Sequence, residues 1–249
     1  MFALLVFAAA VAASPLTVQD LDAAATIERR RKPDAFAKPT ANSSLANRRF
    51  KIALPVMKAH SGSLSTEGVP AIWDYDAPSQ TLRLSGWEQS WSDLELMLND
   101  RFFKWGIEGF YARYQLIPGK NYIGENGFGA RATIYRYVAN TLGIAYPRKS
   151  FDDASGLPGP KSSLGHVYES AIPMSGLKAR SIVAGLKLVV EGETTVFSDG
   201  SNIKCGSFEG GASMATRLDM DTRYCLVAGR FDRVSFQDAA GTVLAEWHP

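Results

Sequence analysis

YCLVAGRFDRVSF, at residues 224–236, is a long β-prone run, and it is followed by the turn sequence DAAG (238–241) and a second run, TVLAEW (242–247). Valine, tyrosine and phenylalanine are enriched in strands, and Asp and Gly between two such runs mark a turn. The C-terminal region therefore predicts a β-hairpin, and it sets the fold class expected for the rest of the chain.

The same pattern recurs towards the N-terminus. The runs 71–75 and 80–85 flank a turn-rich tetrapeptide and predict a second hairpin. Asn126-Gly127 lies between β-prone runs and is the strongest short hairpin signal. Further strands are predicted over 108–117, 130–138, 142–146, 166–172 and 186–197. The pattern indicates a β-rich α+β fold of mostly antiparallel strands and hairpins with one or two short helices.

Helices are predicted where a capping residue precedes apolar residues at helical spacing. A strand over 94–98 is the alternative for one of these segments. The predicted helices are 17–32 with Thr17 as N-cap, 93–105, and 175–184 with Ser175 as N-cap.

The N-terminal residues 2–13, FALLVFAAAVAA, form an uncharged apolar run followed by Ser14-Pro15. A helix needs roughly 20 residues to span a membrane, so this run is too short. Its length and the small residues at its end fit a secretory signal peptide. A short buried helix is the alternative, although such a helix has a polar face. We therefore predict a signal peptide over 1–13, an exported protein that is periplasmic or secreted, and no membrane span in the mature chain.

The chain contains two cysteines, Cys205 and Cys225. In an oxidising compartment an even pair indicates a disulfide, whereas thiol catalysis or metal binding calls for CxxC spacing or clustered histidines. The sequence therefore predicts a structural disulfide, which closes a loop of about 20 residues and contributes about 3 kcal/mol in the chain-entropy model.

The formal net charge is +2, but the basic residues are concentrated near the N-terminus. Residues 14–58 contain nine Lys or Arg and four acids, a net charge of +5, which leaves −3 for the rest. Because residues 14–49 contain few large apolar side chains, we expect a mobile basic linker that packs little against a single β-rich domain over 50–249. The basic run 29–32 can attract anionic lipid or another polyanion, although such runs are more often only solvated. The small net charge argues against nucleic-acid binding.

The sequence carries no strong catalytic motif. The histidines His60, His166 and His248 lack the spacing of a zinc site, and there is no GxSxG nucleophile elbow. A secreted hydrolase that uses scattered residues such as Asp152, His166 and Glu169 is the alternative function.

Two other motifs favour structural interpretations. Asp219 and Asp221 are two residues apart and need further ligands to hold Ca²⁺ or Mg²⁺, so a solvated turn is favoured. The segment 124–129 lacks a phosphate-loop pattern, and the hairpin interpretation is stronger. We therefore predict no metal and no cofactor.

Eight aromatic residues lie between positions 87 and 114, and Trp87 and Trp91 have polar neighbours. Exposed rings can stack on a sugar or a peptide, whereas most large aromatics belong to the core. We expect Trp87 or Trp91 to be partly exposed as a candidate stacking site, and Trp105 to be buried. The predicted function is a non-catalytic binding or structural module of the cell envelope or extracellular space, with an envelope protein or a polysaccharide as its partner.

Overall fold

The computed structural model describes residues 14–31, 42, 44–59, 70–90, 108–146, 167–197, 199–209 and 217–249. Within these ranges no helix is long and apolar enough to cross a membrane. Several sequence predictions lie outside the described residues: the signal peptide 1–13, the helix 93–105, and the residues His60, Trp91, Trp105, Asp152 and His166.

Strands dominate the described part of the chain, as the sequence predicts. Its two helices are α1 (Val18–Arg30) and α2 (Gly176–Val183). Its thirteen strands are β1 (Arg49–Pro55), β2 (Met57–Lys58), β3 (Ala71–Asp76), β4 (Thr81–Trp87), β5 (Gln89–Ser90), β6 (Glu108–Pro118), β7 (Tyr122–Glu125), β8 (Arg131–Ala145), β9 (Val167–Pro173), β10 (Lys187–Thr194), β11 (Ile203–Glu209), β12 (Leu218–Gln237) and β13 (Val243–Trp247).

The larger sheet, nine strands in the described ranges, is organised around the 20-residue strand β12. The first half of β12 pairs in parallel with β8 and antiparallel with β11. Its second half pairs antiparallel with β10 and with β13, so the predicted C-terminal hairpin is confirmed. The sheet is nevertheless mixed, because a long crossover brings β12 alongside β8 in the same direction.

The second sheet has the order β2-β3-β4-β9 and packs against the larger one. The predicted hairpin over 71–85 is its centre, formed by β3 and β4. Leu82 and Leu84 of β4 are buried in one cluster with Leu188 and Phe236 of the larger sheet. A Cβ atom added at Gly86 would lie 3.3 Å from the Leu188 side chain, so the two layers are in close contact there.

Helix α1 begins at the predicted cap. The Thr17 hydroxyl accepts a hydrogen bond from the Asp20 backbone N–H, and the Asp20 carboxylate accepts one from the Thr17 N–H at 2.8 Å. This reciprocal arrangement is a capping box. The helix prediction is therefore confirmed. At the start of α2 the predicted cap Ser175 is also present, and its hydroxyl accepts a hydrogen bond from the Lys178 backbone N–H.

The segment that carries α1 is packed against the sheet. The Asp22 carboxylate binds the guanidinium of Arg113 on β6 at 2.7 Å. Further along, the Asn42 carbonyl accepts a hydrogen bond from the Asn202 side chain at 2.9 Å. The expectation that 14–49 packs little is therefore wrong for the described residues of this segment. Its few apolar side chains converge on the core: those buried are Leu16, Leu21, Ala24, Ala25 and Leu45.

An ion-pair ladder crosses β1, β10, β12 and β13. Lys51 Nζ lies 2.7 Å from Glu191, and Arg233 lies 3.4 Å from Glu191 and 2.5 Å from Glu246. Burial opposes ionisation of Glu191, but the hydrogen bond from Lys51 and the two positive charges outweigh it and lower the pKa of this carboxyl. The ladder therefore favours the folded state with Glu191 charged.

Candidate functional site

The predicted disulfide between Cys205 and Cys225 is present. The two residues are directly opposite each other in the β11–β12 pairing, with Cα atoms 4.1 Å apart. The backbone oxygen of Ala25 on α1 lies 3.9 Å from both sulfur atoms. The bridge therefore joins two strands directly beneath α1, and it is compatible with an oxidising compartment.

The two aspartates considered as metal ligands are bound to other side chains. Arg136 lies 2.7 Å from Asp221 and 3.8 Å from Asp219, and the Tyr122 hydroxyl donates to Asp219 at 3.1 Å. Desolvation and the hydrogen bond to Asp219 raise the pKa of Tyr122. Among the described residues, no group of three metal-ligating side chains is found. This cluster is therefore a salt-bridge network on the sheet.

Trp87 does not form a stacking platform, because its ring is buried at the end of β4. Its indole nitrogen has no hydrogen-bond partner among the described residues. Next to it, the carboxylate of Glu88 is fully buried and accepts a hydrogen bond from the Tyr168 hydroxyl at 2.5 Å. Trp87 is therefore not the partly exposed ring that the sequence predicts, and Trp91, the other candidate, lies outside the described residues.

Of the residues considered for hydrolysis, only Glu169 lies within the described ranges, and Asp152 and His166 lie outside them. Glu169 is exposed on β9 and pairs with Ser85 of β4. His248 is exposed and lies 3.3 Å from Glu246 and 3.0 Å from the Asp232 carbonyl oxygen. The surroundings of Glu169 and His248 thus resemble those of ordinary surface residues.

A projecting hairpin is the most distinctive surface feature of the described residues. In the pairing of β7 with β8, Tyr122 is opposite Ile134 and Glu125 is opposite Arg131. The pairing of β8 with β12 begins only at Tyr135. No described strand other than β7 pairs with β8 over Arg131 to Ile134. The hairpin predicted from Asn126-Gly127 is confirmed. It continues as a two-stranded ribbon beyond Leu218, the residue at which β12 begins.

The turn of this hairpin is fixed by Asn126. Its side-chain oxygen accepts hydrogen bonds from the backbone N–H groups of Phe128 and Ala130, both at 3.0 Å. Its backbone N–H donates to the Ala130 carbonyl, and its own carbonyl accepts from Gly129 at 2.9 Å. Gly129 has a φ of 80°, which a residue with a Cβ rarely adopts. Four hydrogen bonds thus hold a single turn conformation.

This ordered turn holds a phenylalanine in solvent. The Phe128 side chain is 99% exposed, and Ile123 on the ribbon is 64% exposed. Other exposed apolar side chains lie on both faces of the strands behind them. We define the tip region by these seven exposed residues: Leu116, Ile117, Tyr122, Ile123, Phe128, Tyr135 and Leu218.

The charged residues around the tip region are unequally partnered. Glu125 lies 2.7 Å from Arg131, and Asp219 and Asp221 are both held by Arg136. These three acids therefore share two arginines, which leaves one negative charge uncompensated by them. Two exposed cations, Lys120 and Arg217, have no acidic partner in the described ranges.

Sequence reasoning located the turn but missed its side chain. A large apolar residue between Gly127 and Gly129 is unusual in a turn, where small and polar residues dominate. That contrast is the signal that identifies Phe128. Its exposure depends also on where β12 begins, which the sequence pattern does not indicate.

Comparison with known proteins matches this chain to no family model, no curated protein and no solved structure.

Proposed function

We propose that the chain is an exported, non-catalytic binding module that attaches to a component of the cell envelope or extracellular space through the tip region. The observation that carries this proposal is the fully exposed Phe128 on a hydrogen-bonded turn. Exposed apolar patches lower solubility, and in folded proteins they mark surfaces that bind a partner or a membrane. Fixing the turn before contact reduces the entropy lost on binding.

Two further features support this role. Two of the motifs that the sequence offered for other chemistry have structural contacts, since Asp219 and Asp221 bind Arg136 and Asn126 holds the turn of segment 124–129. The disulfide and the core keep the sheet rigid behind the ribbon, as precise presentation of a binding residue requires.

The proposal is tested with the purified full chain and an envelope fraction of the source cells. A photoreactive phenylalanine analogue replaces Phe128 in one sample and Leu177 in the other. Leu177 is a matched control because it is 80% exposed on α2. We expect the chain to sediment with the envelopes and to form crosslinks from position 128 only. A chain that stays in the supernatant, or equal crosslinking from both positions, would contradict the proposal.

Export is tested separately by N-terminal sequencing of material recovered outside the cytoplasm. Cleavage after the apolar run gives a first residue near Ser14. A sequence that begins at Met1 in such material would reject the signal peptide without bearing on the tip region.

A further inference from the structure

A row of polar side chains crosses four adjacent strands of the larger sheet beside α1. Residues that are opposite each other in neighbouring strands share one face of the sheet. Arg223 lies on the face that α1 covers, because Cys225, two residues along β12, has its sulfur 3.9 Å from the Ala25 oxygen of α1. We define the polar row by these four residues, all at least partly exposed: Ser207 on β11, Arg223 on β12, Asn140 on β8 and Gln115 on β6.

The last turn of α1 brings a second arginine to the polar row. Arg29 follows Ala25 by about one helical turn, so it lies on the same side of the helix. Partial burial lowers the pKa of Arg29, and the positive charges of Arg113 and Arg223 lower it further. The charge of Asp22 opposes this shift without cancelling it. Arg29 is therefore close enough to Arg223 for the two guanidinium groups to repel each other.

The acids around these two arginines are bound to other side chains. The two carboxylate oxygens of Asp22 lie 2.7 and 2.8 Å from guanidinium nitrogens of Arg113. Within the described ranges, Arg29 and Arg223 form no ion pair of their own. Two neighbouring acids have other arginines: Glu28 lies 3.8 Å from Arg31, and Asp221 lies 2.7 Å from Arg136.

The next acid along β12 is further away. Asp219 shares Arg136 with Asp221, and it accepts a hydrogen bond from the Tyr122 hydroxyl. It is about 13 Å from Arg223 at the usual rise of a strand, a distance at which exposed charges are largely screened. Arg29 and Arg223 therefore present two positive charges beside the neutral side chains of the polar row.

This arrangement suits an oxyanion. Arginine binds phosphate through pairs of N–H groups, and the amides of Asn140 and Gln115 and the Ser207 hydroxyl can donate further hydrogen bonds. A doubly charged phosphate group neutralises both arginines, whereas a carboxylate group neutralises only one. The anion also removes the repulsion between the two guanidinium groups, so it should stabilise the folded chain.

We propose that Arg29 and Arg223 bind a doubly charged phosphate group above the polar row, at the end of α1. The group belongs either to inorganic phosphate or to a phosphate monoester. The ion pair between Asp22 and Arg113 positions α1 on β6, and thereby directs Arg29 towards the row. This site is separate from the tip region, so its loss would leave the proposed binding function unaffected.

The test measures phosphate binding to the full chain by isothermal titration calorimetry, at an ionic strength held constant with potassium chloride. We expect saturable binding and a rise in Tm with phosphate concentration. Arg29→Gln and Arg223→Gln should each raise the Kd about tenfold or more, since a hydrogen bond to a charged group contributes this much. Arg180→Gln should leave the Kd unchanged. It is the matched control because Arg180 is an exposed arginine in the last turn of α2.

Two further measurements separate this site from a structural role and identify the source of the phosphate. Without phosphate, Arg223→Gln should not lower the Tm, because it removes a repulsion. Dimethyl phosphate, which carries one charge, should bind much more weakly than inorganic phosphate. Tighter binding of glucose 6-phosphate would assign the site to a phosphorylated molecule, and binding of inorganic phosphate alone would assign it to the free ion.

Three results would overturn the proposal. The first is the absence of saturable phosphate binding, and the second is a Kd that rises equally in Arg180→Gln and Arg223→Gln. The third is equal affinity for dimethyl phosphate and inorganic phosphate, since the site is argued from its two unpaired charges.

Discussion

Removing the disulfide is expected to destabilise the protein by an amount that its position in the fold defines. Cys205 and Cys225 are separated by 20 residues in sequence. Closing a loop of that length in the unfolded chain corresponds to about 3 kcal/mol of unfolding free energy. For a chain of this size, 1 kcal/mol shifts the Tm by about 2–4 °C, so reduction should lower the Tm by about 6–12 °C.

The assay is a thermal melt followed by circular dichroism, with and without a phosphine reductant. The double variant Cys205→Ala/Cys225→Ala is the control, because its Tm should be low and unaffected by the reductant. Reduction should also speed tryptic cleavage after Arg29 and Arg30, since α1 lies on the bridge. A change in Tm below about 2 °C on reduction would refute the argument that the bridge restricts the unfolded chain.

Three other perturbations test the packing, the ion-pair ladder and the turn. Leu21→Ala should cost about 2–5 kcal/mol in chemical denaturation because the side chain is fully buried, whereas Ile27→Ala, 65% exposed on the same helix, should cost less than about 0.5 kcal/mol. Folding lowers the pKa of Glu191 from its ordinary 4.5, so this carboxylate contributes its full stabilisation above that pH. The stabilisation should be lost as the pH falls through the lower folded-state pKa. The loss is measured as Tm against pH and should be absent in Glu191→Gln. Asn126→Ala should raise the rate of amide hydrogen exchange at Phe128 and Ala130 and change the Tm by no more than about 2 °C. An unchanged exchange rate would show that the hydrogen bonds to the Asn126 side chain do not fix the turn.

Local chemistry explains which parts of the fold were predictable from sequence. Thr17 and Ser175 cap their helices because a cap needs only a side-chain oxygen and the next few N–H groups. Asn126-Gly127 likewise specifies its own hairpin. The parallel pairing of 218–228 with 135–145 was not predictable, because it joins segments far apart in the chain and depends on competing pairings across the whole sheet.

The packing of α1 and the candidate site were missed for a similar reason. Ala24 and Ala25 add little hydrophobic signal to the sequence, yet their small size lets the helix approach the disulfide closely. Trp87 has polar neighbours in sequence but is buried in the folded chain. Exposure at Phe128, in turn, depends on the point where β12 begins its pairing with β8, at Leu218 and Tyr135. Burial is a property of the assembled sheet, so a local pattern does not determine it.

The central position of β12 has a consequence for how the molecule folds. Strands β8, β10 and β11 all precede β12 in the chain, and each needs it as a hydrogen-bonding neighbour. Until residues 218–237 are available, these three strands present open edges, which are the usual starting points of aggregation. Long-range pairing of this kind also makes folding slow. The open edges of all three strands are therefore closed by the same segment, which is the longest strand of the described chain.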